Sequence, residues 1–480
     1  MRLRLKLRLR LRLLGVRTAK RIAGRAGEAV EKYAGGPCMS GRQILDLLWP
    51  LFIDQVYLQG ITLINTAMIS SYGPEAISAI SIIGSFNVFV TNLFVAVATG
   101  CAVVVAQYCG RGEPHNASKS AAQAITSTFV ITLAVSAALY FMTDAVNELL
   151  LGKGAPLTKE YARVFLAGNI LSFPLFGITQ TVMSALRGAG NTKASIFFSA
   201  GINTLNVLLN AVLLYAFNLG VLGLSASVIA CRLVFAVLSI LYMLYPKNPL
   251  YTPPRHYFAV NLPLQRSIMY VAVPTGLEQV FFHGGRIVTQ VFIVGFGTMS
   301  TAANAVATTY NGLLSVAGST ISAALLTVAG QCVGMGDVEE ARKYIFKSTN
   351  AGTVACLLTS LISLPLIHPM LAIYNLPPEA YGPAYKASLM VLVGTPITWC
   401  FSFVTPSGLR AGGDATFSSV VSLICMWSIR VGLGYLLGVV FRLDLYGIWI
   451  AMFTEWAVRG VIFHVRTTGS KWYRHSVIPD

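Results

Sequence analysis

Apolar residues run along this chain in stretches of twenty or more, broken by short connectors that hold Gly, Pro or charge. A helix of about 20 apolar residues is what crosses a hydrocarbon core of roughly 30 Å. Bounding the runs at Gly, Pro and charged positions predicts six helices at 44–70, 77–108, 121–142, 161–183, 195–217 and 221–245. Six more follow at 267–296, 300–332, 351–374, 384–406, 416–440 and 445–466. One longer polar connector, with Lys247, Arg255 and His256, divides the two sets. The fold class is therefore all-α integral membrane with twelve spans. The expected organisation is a basic tail at 1–38, an N-lobe at 39–245, a linker at 246–266, a C-lobe at 267–466 and a tail at 467–480.

The two sets repeat one another. Pro50 and the following Asp54-Gln55 return as Pro274 and Glu278-Gln279. The same offset, that from Pro50 to Pro274, takes Gly73 to Gly297, Asn87 to Asn311, Gln107 to Gln331, Gly110 to Gly334 and Gly223 to Gly447. Ser184-Ala185-Leu186-Arg187-Gly188 returns at Ser407-Gly408-Leu409-Arg410-Ala411, one position closer. Matches at Gly, Pro and polar positions are not produced by shared apolar composition. An even number of spans per copy starts both copies on one side, so the lobes are parallel repeats about a central cavity, a transporter plan.

Composition removes the alternatives. Only 11% of residues are charged, against about 25% in a soluble domain, and the mean hydropathy is +0.67. The formal charge of +17 forms no nucleic-acid patch, because the basic residues sit at the chain start and in the connectors. Lys and Arg gather in the connectors after the even spans (Arg111, Lys193, Arg342, Lys343) and near the end (Lys471, Arg474). By the positive-inside rule both termini and the linker are cytoplasmic, in a multi-pass protein of the cell membrane. Met1–Leu14 alternates Arg or Lys with Leu, too short and too charged to span and unlike a secretory signal. It reads either as a polybasic segment for anionic lipid or as an over-read ahead of a start at Met39. The eight cysteines have neither metal-ligand nor disulfide spacing.

Candidate chemistry lies on the first helix of each copy. Gln55, Gln59, Thr62 and Thr66 form one helical stripe, and Gln279, His283, Arg286 and Gln290 repeat it at the same offset. Asp54 and Glu278 stand beside the stripes, and Asn65 shares a face with Asp54. A charge facing lipid costs about 2.5–3.5 kcal/mol on insertion scales, so these groups face a cavity or one another. Their duplication favours a cleft with a carboxylate on each wall that binds cations, Asp54 and Glu278 being the coupling candidates. Asn87, Asn304 and Asn311 line that cavity or bond between helices, as do Asn203 and Asn206. Glu455 and Arg459 read as a local i, i+4 pair, Arg232 and Arg430 have no evident partner, and Arg187 and Arg410 read as loop-shaping residues. No phosphate-cradling loop occurs in the sequence, so transport draws on an ion or substrate gradient. No enzymatic set, cofactor or dedicated metal site is expected, although sodium is compatible with the acids, and the protein is expected to act as a monomer.

Two blocks carry a resemblance. One runs through Asn65-Thr66-Ala67-Met68, Gly73, Ala98-Thr99-Gly100 and Gln107-Tyr108-Cys109-Gly110-Arg111-Gly112. The other holds Ala185-Leu186-Arg187-Gly188-Ala189-Gly190-Asn191 and Ala302-Ala303-Asn304-Ala305. Together they resemble the multidrug and toxic compound extrusion family from Met39 to about Arg466. The resemblance implies two six-helix lobes and export of organic cations or other amphipathic compounds in exchange for protons or sodium. It also implies an acid where this chain has Asn65, a favoured ligand of the coupling ion; Asn does not titrate, which moves the expected role to Asp54 and Glu278. A flippase for lipid-linked saccharides shares the plan and is the competing reading, with a strongly basic cavity as its mark.

Overall fold

The computed structural model describes residues 35–69, 74–152, 155–374, 376–473, 477–478, Glu31 and Tyr33. The tail at 1–30 and Gly73 lie outside the described residues, as do the side chains of Thr62 and Thr66. The N-lobe comprises α1 (Gly41–Ile69), α2 (Pro74–Arg111), α3 (Pro114–Phe141), α4 (Pro156–Gly188), α5 (Thr192–Ala211) and α6 (Gly220–Met243). The C-lobe comprises α7 (Leu262–Gly295), α8 (Thr298–Gly334), α9 (Val338–Ser363), α10 (Pro378–Phe403), α11 (Ala415–Cys425) and α12 (Asp444–Thr468). Among the described residues there is no strand, and ten of the helices are long and apolar enough to cross a membrane. The polar stripe of α7 keeps that helix out of the ten. Large apolar side chains such as Ile287, Leu361, Ile397 and Val461 are exposed on the outside, as lipid-facing surface requires.

Local chemistry sets the helix ends. Asn191, Asn261 and Asp337 cap α5, α7 and α9 by accepting from the backbone N–H three positions on. The Asn261 cap, with Pro263 in the first turn, starts α7 at Leu262, ahead of the apolar run.

The repeat extends to backbone irregularities. α5 ends in π turns at Val212–Ala216, and the helix begun by α11 ends in π turns at Leu436–Val440, the equivalent place in the second copy. Asn218 and Arg442, likewise equivalent, both take positive φ, 51° and 55°, to turn the chain into α6 and α12.

The lobes meet most tightly at the end of the molecule that carries the basic connectors. There α2 and α8 cross so closely that a Cβ on Gly110 would lie 2.0 Å from the Gln331 carbonyl oxygen. A Cβ on Gly334 would lie 2.1 Å from the Gln107 carbonyl oxygen, the same contact with the lobes exchanged. The Gln107 side-chain amide donates to the Ala411 carbonyl at 2.6 Å, and the Gln331 amide donates to the Gly188 carbonyl at 3.1 Å. This two-fold seal rests on glycine because only glycine lets two backbones approach so far. The C-terminal tail covers the same end: Trp472 is fully buried against Gly412, and Val477 and Ile478 join a cluster with α3, α4 and α7.

Candidate transport cavities

Each lobe encloses a polar cavity, and the two occupy repeat-equivalent places. The N-lobe cavity, about 570 Å³, lies among α1, α2, α4, α5 and α6. The C-lobe cavity, about 260 Å³, lies among α7, α8, α10, α12 and the π turns after α11. Leu58, Phe176, Gln180, Asn206 and Arg232 of the first wall are the repeat equivalents, in order, of Phe282, Trp399, Phe403, Arg430 and Trp456 of the second.

The N-lobe cavity is deep and charged. Asp54 is 6% exposed, and its Oδ1 has no hydrogen-bond partner. Arg187 and Arg232 share this cavity with it. Arg187 donates to the Ser184 hydroxyl at 2.9 Å; Arg232 donates to the Ser172 hydroxyl at 2.6 Å and lies 4.9 Å from the centre of the Phe176 ring. No carboxylate of the described residues lies within 4 Å of either guanidinium.

In the C-lobe the same depth is plugged. Glu278 accepts from Arg410 at 2.6 Å and from the Ser419 hydroxyl at 2.9 Å. Trp399 stacks on Phe403 at 4.8 Å between ring centres, and Phe403 meets Phe282 and Trp456 edge-on. Glu455, fully buried, accepts from Arg430 at 2.7 Å and lies 3.0 Å from Arg459. Arg286, Gln290, Asn304 and Asn311 belong to the polar part of the wall that these rings share. A hydrogen bond of 3.1 Å between Asn92, on the N-lobe cavity wall, and His283 of α7 joins the lobes at mid-height.

A family-wide sequence profile, described as MatE, matches residues 50–212 and again 274–436. The second match begins and ends at the repeat offset from the first, and the two cover more than half of the chain. The chain belongs to the multidrug and toxic compound extrusion (MatE) family. It is 24% identical over 435 residues to the uncharacterized transporter YisQ of Bacillus subtilis, covering 89% of this chain and 94% of that protein. It is 21% identical over 449 residues to a probable multidrug resistance protein NorM of Thermotoga maritima, covering 91% and 94%. Among solved structures it resembles the outward-facing conformation of a multidrug resistance MATE family transporter, with a TM-score of 0.76 at 19% identity over 92% of this chain and 97% of that one.

In this MatE protein Asn65 belongs to a network of neutral groups. Asn210 donates to Asn65 Oδ1 at 3.3 Å and to Asn206 Oδ1 at 3.3 Å, and the Ser227 hydroxyl donates to Asn210 Oδ1. None of these four side chains titrates near neutral pH.

The other residues singled out from sequence divide into groups. Asp54, Gln55, Asn203 and Asn206 line the N-lobe cavity; Arg286, Gln290, Asn304 and Asn311 line the C-lobe cavity, where Asn304 donates to Gln290 at 3.4 Å. Gln59 and Gln279 lie on the same helices but on neither cavity wall, and Asn87 keeps an unpartnered Oδ1 outside both. Glu278 also lies on neither cavity wall, because Arg410 and Ser419 occupy its carboxylate. Two readings are corrected. Arg187 and Arg410 are not loop residues: the helices run a turn further than the apolar stretches, which carries one side chain to a cavity and the other to Glu278. Arg430 has its partner in Glu455, far along the chain. The aromatic plug and the cavity position of Arg232 are not visible in the first helix of each copy; the repeat offset applied to the fourth, fifth and sixth helices would have found them.

Proposed function

We propose that this MatE protein is a secondary multidrug exporter that moves amphipathic small molecules by alternating access, acting as a monomer with its basic end cytoplasmic. The observation that carries the reading is the pair of repeat-equivalent cavities held behind a two-fold seal at one end of the molecule. Rocking the lobes about that seal would present the cavities to one side and then the other. Asp54, the buried carboxylate of the N-lobe cavity without a full set of partners, is the candidate coupling group for a proton or sodium. Glu278 would join it only in a state where Arg410 has let go. Purified full-length protein in vesicles, given proton or sodium gradients separately with a panel of amphipathic dyes, tests this. Gradient-driven dye movement that becomes gradient-independent in Asp54→Asn is expected; dye movement driven by neither ion overturns the antiport reading.

One observation favours the flippase reading: Arg187, Arg232, Arg286 and Arg430 face the cavities, the basic lining an anionic lipid headgroup needs. Flipping of labelled anionic lipid without dye transport would establish it.

A further inference from the structure

Comparing the lobes position by position isolates a guanidinium with no acid. In the C-lobe the deep cations are matched: Arg430 and Arg459 share Glu455, and Arg410 holds Glu278. The N-lobe keeps one of these cations, Arg187, has Asn206 and Phe235 where the C-lobe has Arg430 and Arg459, and carries Arg232 where the C-lobe has Trp456. Cys231 stands where the repeat places Glu455, and Asp54, one methylene shorter than Glu278, does not come within 4 Å of Arg187, the equivalent of Arg410. Arg232 is held by a hydroxyl and an aromatic face alone. Two guanidiniums against one carboxylate leave this cavity with a net positive charge, and Arg286 adds another exposed cation on the wall of the other lobe. A membrane interior penalises an uncompensated charge, and a planar guanidinium fork matches carboxylate, sulfonate or phosphate oxygens. At about 570 Å³ the cavity also falls within the range of pockets that enclose a drug-sized ligand.

We infer that the N-lobe cavity is an anion site: the acidic group of an amphipathic cargo docks between Arg232 and Arg187, and Asp54 competes with it for the two guanidiniums. The inference rests on the exporter reading and names the charge of what is carried, the opposite of the organic cations that two wall carboxylates would select.

The test uses full-length protein in vesicles with two probes on one frame, a pyrenylbutyl sulfonate and the corresponding trimethylammonium. The sulfonate is expected to bind and move, and the ammonium to bind about tenfold more weakly or worse. Arg232→Gln should weaken sulfonate binding about tenfold or more, with Arg232→Lys restoring part of it. Asp54→Asn should tighten sulfonate binding, because the competing carboxylate is gone; a cation site would lose affinity instead. The sign of the Asp54→Asn response decides the matter if Arg232→Gln does not fold, and Arg286→Gln, on the wall of the other cavity, should leave sulfonate affinity nearly unchanged. Preference for the ammonium, weaker sulfonate binding in Asp54→Asn, or unchanged affinity in a well-folded Arg232→Gln would overturn the anion site. Transport of the ammonium alone would overturn the anion site and leave the exporter standing; transport of neither probe nor any dye would remove the exporter. A third arm follows labelled phosphatidylglycerol by dithionite quenching. Flipping without sulfonate transport assigns the anionic group to a lipid headgroup, and the converse assigns it to a soluble amphiphile.

Discussion

Asp54 and Glu278 occupy the same position in the two copies, yet one is an open acid and the other a closed ion pair. The repeat extends to backbone irregularities elsewhere in the lobes, with π turns and left-handed residues at equivalent places. The acids themselves differ in reach by one methylene. Glu278 spans the gap to Arg410 and, with the rings of Trp399, Phe403, Phe282 and Trp456, closes the deep part of its cavity. Asp54 stops short, and the equivalents of those rings include Gln180, Leu58 and Arg232, so the N-lobe cavity stays open and charged. The repeated scaffold thus carries an ion pair in one copy and, in the other, a buried acid whose Oδ1 has no hydrogen-bond partner.

The largest effect should come from the acid that only the C-lobe has. Glu455→Gln leaves Arg430 and Arg459 buried without a carboxylate, and breaking such a pair costs about 3–5 kcal/mol; Cys231→Ala at the equivalent N-lobe position should cost about 1 kcal/mol or less. Thermal unfolding followed by size-exclusion chromatography reads both, and equal losses would break the comparison. Next comes Asp54→Glu, which gives the N-lobe the longer acid. If reach is the difference, the new carboxylate pairs with Arg187, a charge-assisted contact of about 1.5–3 kcal/mol, and transport falls; unaltered transport would argue against it. Gly110→Ala and Gly334→Ala should act alike, because each puts a Cβ within 2.0 or 2.1 Å of a carbonyl oxygen across the seal. Each should cost the sealed state about 1–3 kcal/mol, seen as raised labelling of cysteines placed at the basic end. A clearly unequal pair would mean that the seal is not two-fold in energy.

The smallest effect concerns the linker. His256 is buried against α3, facing His115 with Lys119 and Arg255 nearby, and its pKa is lowered by burial first and then by those neighbours. The undocked linker takes up a proton before the docked one does. Docking is therefore fully favourable above the ordinary histidine value of about 6.5 and weakens as pH falls below it. Protection of residues 255–259 from hydrogen exchange, taken relative to the intrinsic rate at each pH, should fall between pH 7.5 and 5 in the native chain and change less in His256→Gln.

Periodicity alone reached the twelve helices, and the constant offset reached the pairing of the lobes. Gln55, Asn203 and Asn206 on one wall, and Arg286, Gln290, Asn304 and Asn311 on the other, were legible as polar positions inside apolar runs, since burying them against lipid is costly. Glu278 was legible as a buried group but not as an occupied one, because its partner Arg410 lies 132 residues away. Arg187 was misread for a related reason: apolarity ends before the helix does, and hydrogen bonding carries α4 on to Gly188.

The sequence by itself determined that this is a duplicated, membrane-spanning all-helical protein with acids and amides inside its spans. Those properties follow from composition and spacing, which are local and additive along the chain. Only the tertiary structure decided which of those acids has a cation within reach. Reach depends on distances between helices far apart in sequence, and a single methylene separates a sealed ion pair at Glu278 from the open carboxylate of Asp54.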